Sequence, residues 1–136
     1  MRTLLLDSCV WLAWARPDGE RDHAAANEIV DRRQRGELEL RLLDLTPYEV
    51  GNTVIRRWRL PAARADGFVA RVLNIAGLPL VPTAAERRAA NALAEEHGLS
   101  VYDATYAAVA KERQLTLVSG DGALLAAGLA TAPTEV

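Results

Sequence analysis

Thr3-Leu4-Leu5-Leu6-Asp7 opens the chain with a short uncharged run that stops at a carboxylate. A run this short, without alternation of apolar and polar residues, suits a strand covered on both faces, the pattern of a parallel sheet. Working outward, residues 10–15 read as a short helix ended by the turn Arg16-Pro17-Asp18-Gly19. Residues 22–35 read as a helix with Ala25, Ile29 and Val30 as its apolar stripe and Gly36 as its C-cap. A second strand is expected over residues 38–45. Thr46-Pro47-Tyr48-Glu49 then opens a helix running to about Trp58, with Thr46 as N-cap, Pro47 at the first helical position and Glu49 closing a capping box. Another helix spans residues 61–76, and Leu80-Val81 reads as a short strand. Thr83-Ala84-Ala85-Glu86 is a second capping box, starting a helix that ends at His97-Gly98. Ser100-Val101-Tyr102-Asp103 is a third, opening a helix through Arg113. A strand at residues 115–118, a short helix at 121–127 and an edge strand at 129–132 complete the chain. Strands alternating with helices predict an α/β domain with a mainly parallel central sheet flanked by helices on both faces. In such sheets ligands bind beyond the carboxyl ends of the strands.

Composition narrows the function. The chain has 136 residues, half of them apolar and a quarter charged, the balance of one ordinary globular domain rather than a disordered or fibrous chain. No uncharged stretch approaches the ~20 residues of a membrane span, and Asp7 interrupts the N-terminal apolar run too early for a signal peptide. With Cys9 the single cysteine no internal disulfide forms, and a cytoplasmic location is expected. A net charge of −2 excludes a protein that lives on non-specific nucleic-acid binding, so any RNA contact must come from a local patch.

The acids fall where the crevice should be. Asp7 ends the first strand and Asp121 follows the strand at residues 115–118, both at carboxyl ends, and Glu49 and Asp103 each hold the third position of a helix at the same edge. Two carboxylates about 5 Å apart repel by about 3 kcal/mol at an effective dielectric near 20, so a cluster of four calls for shared protons or a cation. Hard oxygen donors that leave room for water and phosphate suit Mg²⁺ or Mn²⁺, and such an ion open to solvent suits phosphodiester hydrolysis. Each acid also has a structural reading. Glu49 and Asp103 are capping-box residues, favoured near a helix N-terminus by the dipole alone, and Asp121 in Ser119-Gly120-Asp121-Gly122 suits a plain turn. Glu86, in the same pattern after Thr83, reads as a cap only and serves as the internal control. Asp7 resists a purely structural reading, because an acid directly after a buried strand is costly unless paired or hydrogen-bonded.

Four stretches, in order, carry a resemblance: Leu4-Leu5-Leu6-Asp7-Ser8, Glu49-Val50-Gly51-Asn52, Tyr102-Asp103-Ala104-Thr105-Tyr106-Ala107-Ala108-Val109-Ala110 and Leu117-Val118-Ser119-Gly120-Asp121. Through them the chain resembles the PIN-domain ribonucleases and, at this length, the VapC toxins of bacterial toxin–antitoxin pairs. The resemblance implies a single PIN-like domain over residues 1–136 and a metal-dependent endoribonuclease with Asp7, Glu49, Asp103 and Asp121 as its catalytic acids. It also implies a homodimer, a structured loop of tRNA or ribosomal RNA as substrate, and a cognate VapB-type antitoxin that covers the active site. Three positions depart from the family's pattern. Cys9 stands where a small hydroxyl residue is usual and reads as a small buried apolar residue, while Ser119 and Gly122 stand where Thr and a larger polar residue are common.

On this reading Asp7, Asp103 and Asp121 hold one or two Mg²⁺ or Mn²⁺ ions, directly or through water, and Glu49 completes the cluster or orients the attacking water. Water attack leaves 5′-phosphate and 3′-hydroxyl ends and needs no histidine; His23 and His97 read as surface residues. Ser8, Asn52 and Ser119 are expected to hydrogen-bond the ligating acids. Arg56-Arg57-Trp58-Arg59 is the candidate RNA contact, with charge for phosphates and an indole for stacking, against the alternative of a solvated helix C-terminus. Arg32-Arg33-Gln34-Arg35 reads as plain solvated helix. Trp11 and Trp14, beside Asp7, suit a groove, a core or an association surface. Two other functions compete. A catalytically silent PIN-like scaffold would fail to bind Mn²⁺. An aspartyl-nucleophile phosphohydrolase of the haloacid dehalogenase type would want an acid two residues after Asp7, where Cys9 stands, and a later lysine, whereas Lys111 lies mid-helix.

Overall fold

The computed structural model describes residues 1–16 and 21–136; beyond Arg16, the turn expected at residues 16–19 lies outside them. The strand at the N-terminus, β1 (Arg2–Leu6), is the middle of a three-stranded parallel sheet, with β2 (Leu38–Arg41) on one side and β3 (Thr116–Val118) on the other. Leu4 pairs with Leu40 on one side and Thr116 on the other, so β1 is hydrogen-bonded along both edges. Seven α-helices surround the sheet among the described residues: α1 (Ser8–Ala15), α2 (His23–Gln34), α3 (Thr46–Asn52), α4 (Ala62–Ala76), α5 (Ala84–His97), α6 (Val101–Glu112) and α7 (Gly122–Ala126). This is the α/β architecture expected, and no described helix is long and apolar enough to cross a membrane.

The uncharged run of β1 is explained by its two covered faces. Leu4 and Leu6 join the core made with α1, α2 and α4, whereas Leu5 joins the core made with α5, α6 and α7. Successive side chains of a strand point to opposite faces, so three consecutive leucines serve two layers, each contributing about 2 kcal/mol on full burial. Val118 and Leu117 divide between the same two cores. In α6 every residue from 104 to 110 is buried, which accounts for its run of alanines: small side chains let the helix lie close against both α5 and the sheet.

The structure shifts several expected elements for identifiable reasons. Strand β2 ends at Arg41, and the strands expected at Leu80-Val81 and residues 129–132 shrink to single parallel bridges, Leu43 with Leu80 and Thr131 with Val118. Leu80 lies between Pro79 and Pro82, which lack the N–H a longer ladder needs. In α2 the buried stripe is Ala26, Ile29 and Val30, with Ala25 only half-buried. The helix after Glu49 does not run uniformly to Trp58: α3 gives way to a π-helical turn (Thr53–Arg57), closed by Trp58 N–H donating to the Thr53 carbonyl at 3.0 Å. Thr46 is not the N-cap of α3. Leu45 holds that position without a side-chain cap, because the Thr46 hydroxyl is drawn into the core.

Candidate active site

The chain passes from β1 to β2 on one side and then from β2 back across β1 to β3 on the other, so the direction of winding reverses between β1 and β3. That switch point is where an open parallel sheet leaves a crevice. A cavity of about 300 Å³ opens there, lined among others by Asp7, Ser8, Cys9, Glu49, Asp103 and Asp121. The four acids singled out in the sequence thus come from four separate places in the chain and face one space.

Asp7 is 4% exposed and is the N-cap of α1. Ser8 N–H donates to its Oδ1 at 2.7 Å, and Ser119 Oγ donates to its Oδ2 at 2.7 Å. The same Ser119 oxygen accepts from Asp121 N–H at 3.0 Å, so one buried hydroxyl ties the end of β1 to the turn after β3. Asp121 in turn caps α7 through Leu124 N–H at 3.0 Å, which makes it a helix cap rather than a plain turn residue. Ser8 and Ser119 thus both hydrogen-bond the Asp7 carboxylate. Asn52 is exposed one turn beyond Glu49 and makes no hydrogen bond to the four acids among the described residues.

Cys9 differs from its expected role as an apolar filler. It is half-buried, its Sγ accepts from Gly120 N–H at 3.3 Å and lies 3.6 Å from Ser119 Oγ. Burial, with the Asp7 charge behind it, pushes the thiol up to about 12, so it is a neutral thiol at the place of the usual hydroxyl.

The three capping patterns separate into two kinds. After Thr83 the box is closed: Thr83 Oγ1 accepts from Glu86 N–H at 3.1 Å, and Glu86 Oε1 accepts from Thr83 N–H at 2.8 Å. In the third pattern Ser100 accepts from Asp103 N–H at 3.1 Å, but the Asp103 carboxylate does not return; it lines the cavity. In the first pattern neither half forms, and Glu49 accepts instead from Tyr106 Oη at 2.6 Å. Glu49 and Asp103 thus make no return cap and the control Glu86 does, while Asp7 and Asp121 cap α1 and α7 and line the cavity as well. Glu86 does more than cap, since Arg113 also grips it from the end of α6.

The electrostatics follow the geometry. Burial raises the Asp7 carboxyl above its ordinary range. Burial also raises Glu49, with the Asp7 and Asp103 charges adding to it, and raises Asp103, with Asp121 and Asp7 adding. Among the described residues no three His, Cys, Asp or Glu side chains yet converge closely enough to grip one ion. The donor set is nonetheless entirely of hard oxygens that destabilise one another, which suits a small divalent cation retaining several waters. Arg21 also lines the cavity, donating to the Gly120 carbonyl at 3.2 Å, and Asp22 beside it is a fifth carboxylate on the wall.

Elsewhere the sequence expectations divide. Arg56, Arg57 and Arg59 are exposed but do not line the cavity, and Trp58 is 8% exposed, edge-on to Phe68 with Arg16 stacked over its indole. Trp58 is thus a core residue and offers no face to a base. Trp11 is core as well, whereas Trp14 is half-buried beneath Arg71. His23 is half-buried, its Nδ1 2.7 Å from the Ala13 carbonyl, and so links α2 to α1 rather than standing on the surface; His97 is exposed. The residues not foreseen are Asp22, Thr46 and Tyr106, with the exposed Tyr48 and Tyr102. Thr46 and Tyr106 each sit three residues from an acid, on the same helical face.

The sequence profile of the PIN domain matches residues 4–128. The chain belongs to the PIN-domain family. Among solved structures this PIN domain is similar to PAE2754 from Pyrobaculum aerophilum, at 31% identity over 92% of this chain and 78% of that one, with a TM-score of 0.67. It is also similar in fold to FitAcB from Neisseria gonorrhoeae, at 24% identity over 98% of this chain and 99% of that one, with a TM-score of 0.68. No curated protein matches it.

Proposed function

We propose that residues 1–136 form one PIN domain acting as a Mg²⁺- or Mn²⁺-dependent endoribonuclease of the VapC type. On this proposal it is a cytoplasmic homodimeric toxin that cleaves a structured loop of tRNA or ribosomal RNA and is restrained by a VapB-type antitoxin. One observation carries the reading: Asp7, Glu49, Asp103 and Asp121 share one cavity, and Glu49 and Asp103 forgo their helix caps to face it. Membership of the PIN family supports nuclease chemistry.

Asp7, Asp103 and Asp121 would hold the ion, which when bound supplies neutralisation of the phosphate charge and activation of water. Ser8 and Ser119 fix the direction of the Asp7 carboxylate, and Ser119 keeps Asp121 in register with it. Glu49, raised by burial and by its acidic neighbours, is suited to complete the cluster or to orient the attacking water and accept its proton. Incubated with structured RNA and Mn²⁺, the purified protein is expected to release fragments with 5′-phosphate and 3′-hydroxyl ends, and EDTA to stop the reaction. Sequencing of the ends identifies the target. Products ending in 2′,3′-cyclic phosphate would overturn the mechanism, and absence of both cleavage and Mn²⁺ binding would leave the scaffold.

With Trp58 in the core, base contacts fall to the exposed aromatics of a neighbouring hollow that Glu49 also lines. Tyr48 and Tyr102 are 79% and 63% exposed, directly precede Glu49 and Asp103, and share a hollow with Asn52. Stacking of one base is worth about 1–3 kcal/mol, so Tyr102→Ala is expected to raise KM for RNA about tenfold with kcat little changed. An unchanged KM would remove Tyr102 from the RNA path.

A further inference from the structure

Tyr106 lies on α6 with no exposure at all, yet its hydroxyl reaches Glu49, which lines the active-site cavity. Its Oη is 2.6 Å from Glu49 Oε1 and 2.7 Å from Thr46 Oγ1, which is equally buried. A carboxylate only accepts, and a phenol has one hydrogen to give. Against an ionised Glu49 the directions are therefore settled: Tyr106 donates to Glu49, and Thr46 donates to Tyr106. The chain of two bonds joins α3 to α6 and explains both anomalies of the first capping pattern, since Thr46 is turned inward and Glu49 is held away from the helix N-terminus.

Phenylalanine would fill the same ring space, so packing does not account for the hydroxyl. We propose that Tyr106, oriented by Thr46, is a positioning residue that holds the Glu49 carboxylate in the cavity for the reaction. The inference rests on the endoribonuclease reading above. Without the phenol, the Glu49 carboxylate loses the hydrogen bond that fixes its direction and is free to take other rotamers.

The test is a cycle of Tyr106→Phe, Glu49→Gln and the double variant, assayed for RNA cleavage in Mn²⁺, with crystal structures of the metal-free proteins. Tyr106→Phe is expected to lower kcat by about 10- to 100-fold, the worth of one hydrogen bond to a charged group, with KM and Mn²⁺ affinity within about twofold. In the Glu49→Gln background the same change is expected to cost nothing further, because Tyr106 acts through Glu49. Should Tyr106→Phe fold poorly, Thr46→Val is expected to lower kcat in the same way, and Thr46→Ser, which keeps the hydroxyl, to restore most of it. Wild-type kcat in Tyr106→Phe, or a full additive loss in the double variant, would overturn the positioning role while leaving the nuclease intact. Failure of the wild type itself to cleave would instead overturn the endoribonuclease reading, and the role in the reaction with it.

Discussion

Asp7→Asn is expected to lower RNA cleavage by about 10³-fold or more while leaving the metal-free protein at least as stable as the wild type. The two halves of this expectation come from the same side chain. Asp7 is buried at the end of β1, and burial raises its carboxyl, so the folded state bears a penalty for the ionised form at neutral pH. Asparagine removes that charge. It keeps the oxygen that caps α1 through Ser8 N–H, and its amide can meet the Ser119 hydroxyl once that hydroxyl rotates. What is lost is a hard anionic donor at the centre of the acid cluster. A hundredfold excess of ligand over Kd stabilises a folded protein by about 2.7 kcal/mol, so Mn²⁺ should raise the Tm of the wild type and raise that of Asp7→Asn much less. Thermal denaturation with and without Mn²⁺ measures this without any RNA. A variant less stable than the wild type in EDTA, with the same Mn²⁺ increment, would make Asp7 a structural cap and no ligand.

That expectation begins from a feature open to sequence reading. Three leucines ending in an acid identify a strand with two covered faces and place a carboxylate at its end, because burial on both sides leaves no other use for such a run. The order of strands and helices follows from period and caps, which are local. Whether a cap closes is not local. The three patterns after Thr46, Thr83 and Ser100 are alike in sequence, but one closes on itself, one half-opens to the cavity and one is pulled apart by a phenol 57 residues away. Trp58 escapes sequence reading for the same kind of reason. Amid Arg56, Arg57 and Arg59 it reads as surface, yet the π-helical turn before it and Phe68 on α4 carry the indole into the core. Cys9 reads as apolar filler because nothing in its own segment reveals the Ser119 and Gly120 groups that meet it from the turn after β3.

Arg113→Ala is expected to destabilise the protein by about 3 kcal/mol, or about 10 °C in Tm, with Mn²⁺ affinity unchanged. Arg113 ends α6 and reaches the first turn of α5, where its Nε and Nη2 donate to the two oxygens of Glu86 at 2.9 and 2.8 Å. Its Nη2 also donates to the Val81 carbonyl at 2.9 Å, fastening the segment that leads into α5. Most surface ion pairs contribute almost nothing, but Glu86 is 2% exposed and its partner 31%, so removing the guanidinium strands a charge out of water. Glu86→Gln should cost less, about 1.5 kcal/mol, because the amide still accepts from Thr83 N–H and from one arm of Arg113. The pH dependence separates this pair from the acids of the cavity. Arg113, the largest cause, holds the Glu86 carboxyl down at about 2 from an ordinary 4.5. A lowered folded value means the contribution is complete above 4.5 and drains away as pH falls towards about 2. Asp7, Glu49 and Asp103 are raised instead, so protonating them relieves the folded state as pH falls. Metal-free wild type should therefore gain stability on mild acidification and then lose it steeply below pH 4.5, and in Arg113→Ala the steep limb should flatten while the gain remains. A Tm for Arg113→Ala within about 2 °C of wild type would reduce the pair to an ordinary surface contact, and the join between α5 and α6 would then rest on their apolar packing alone.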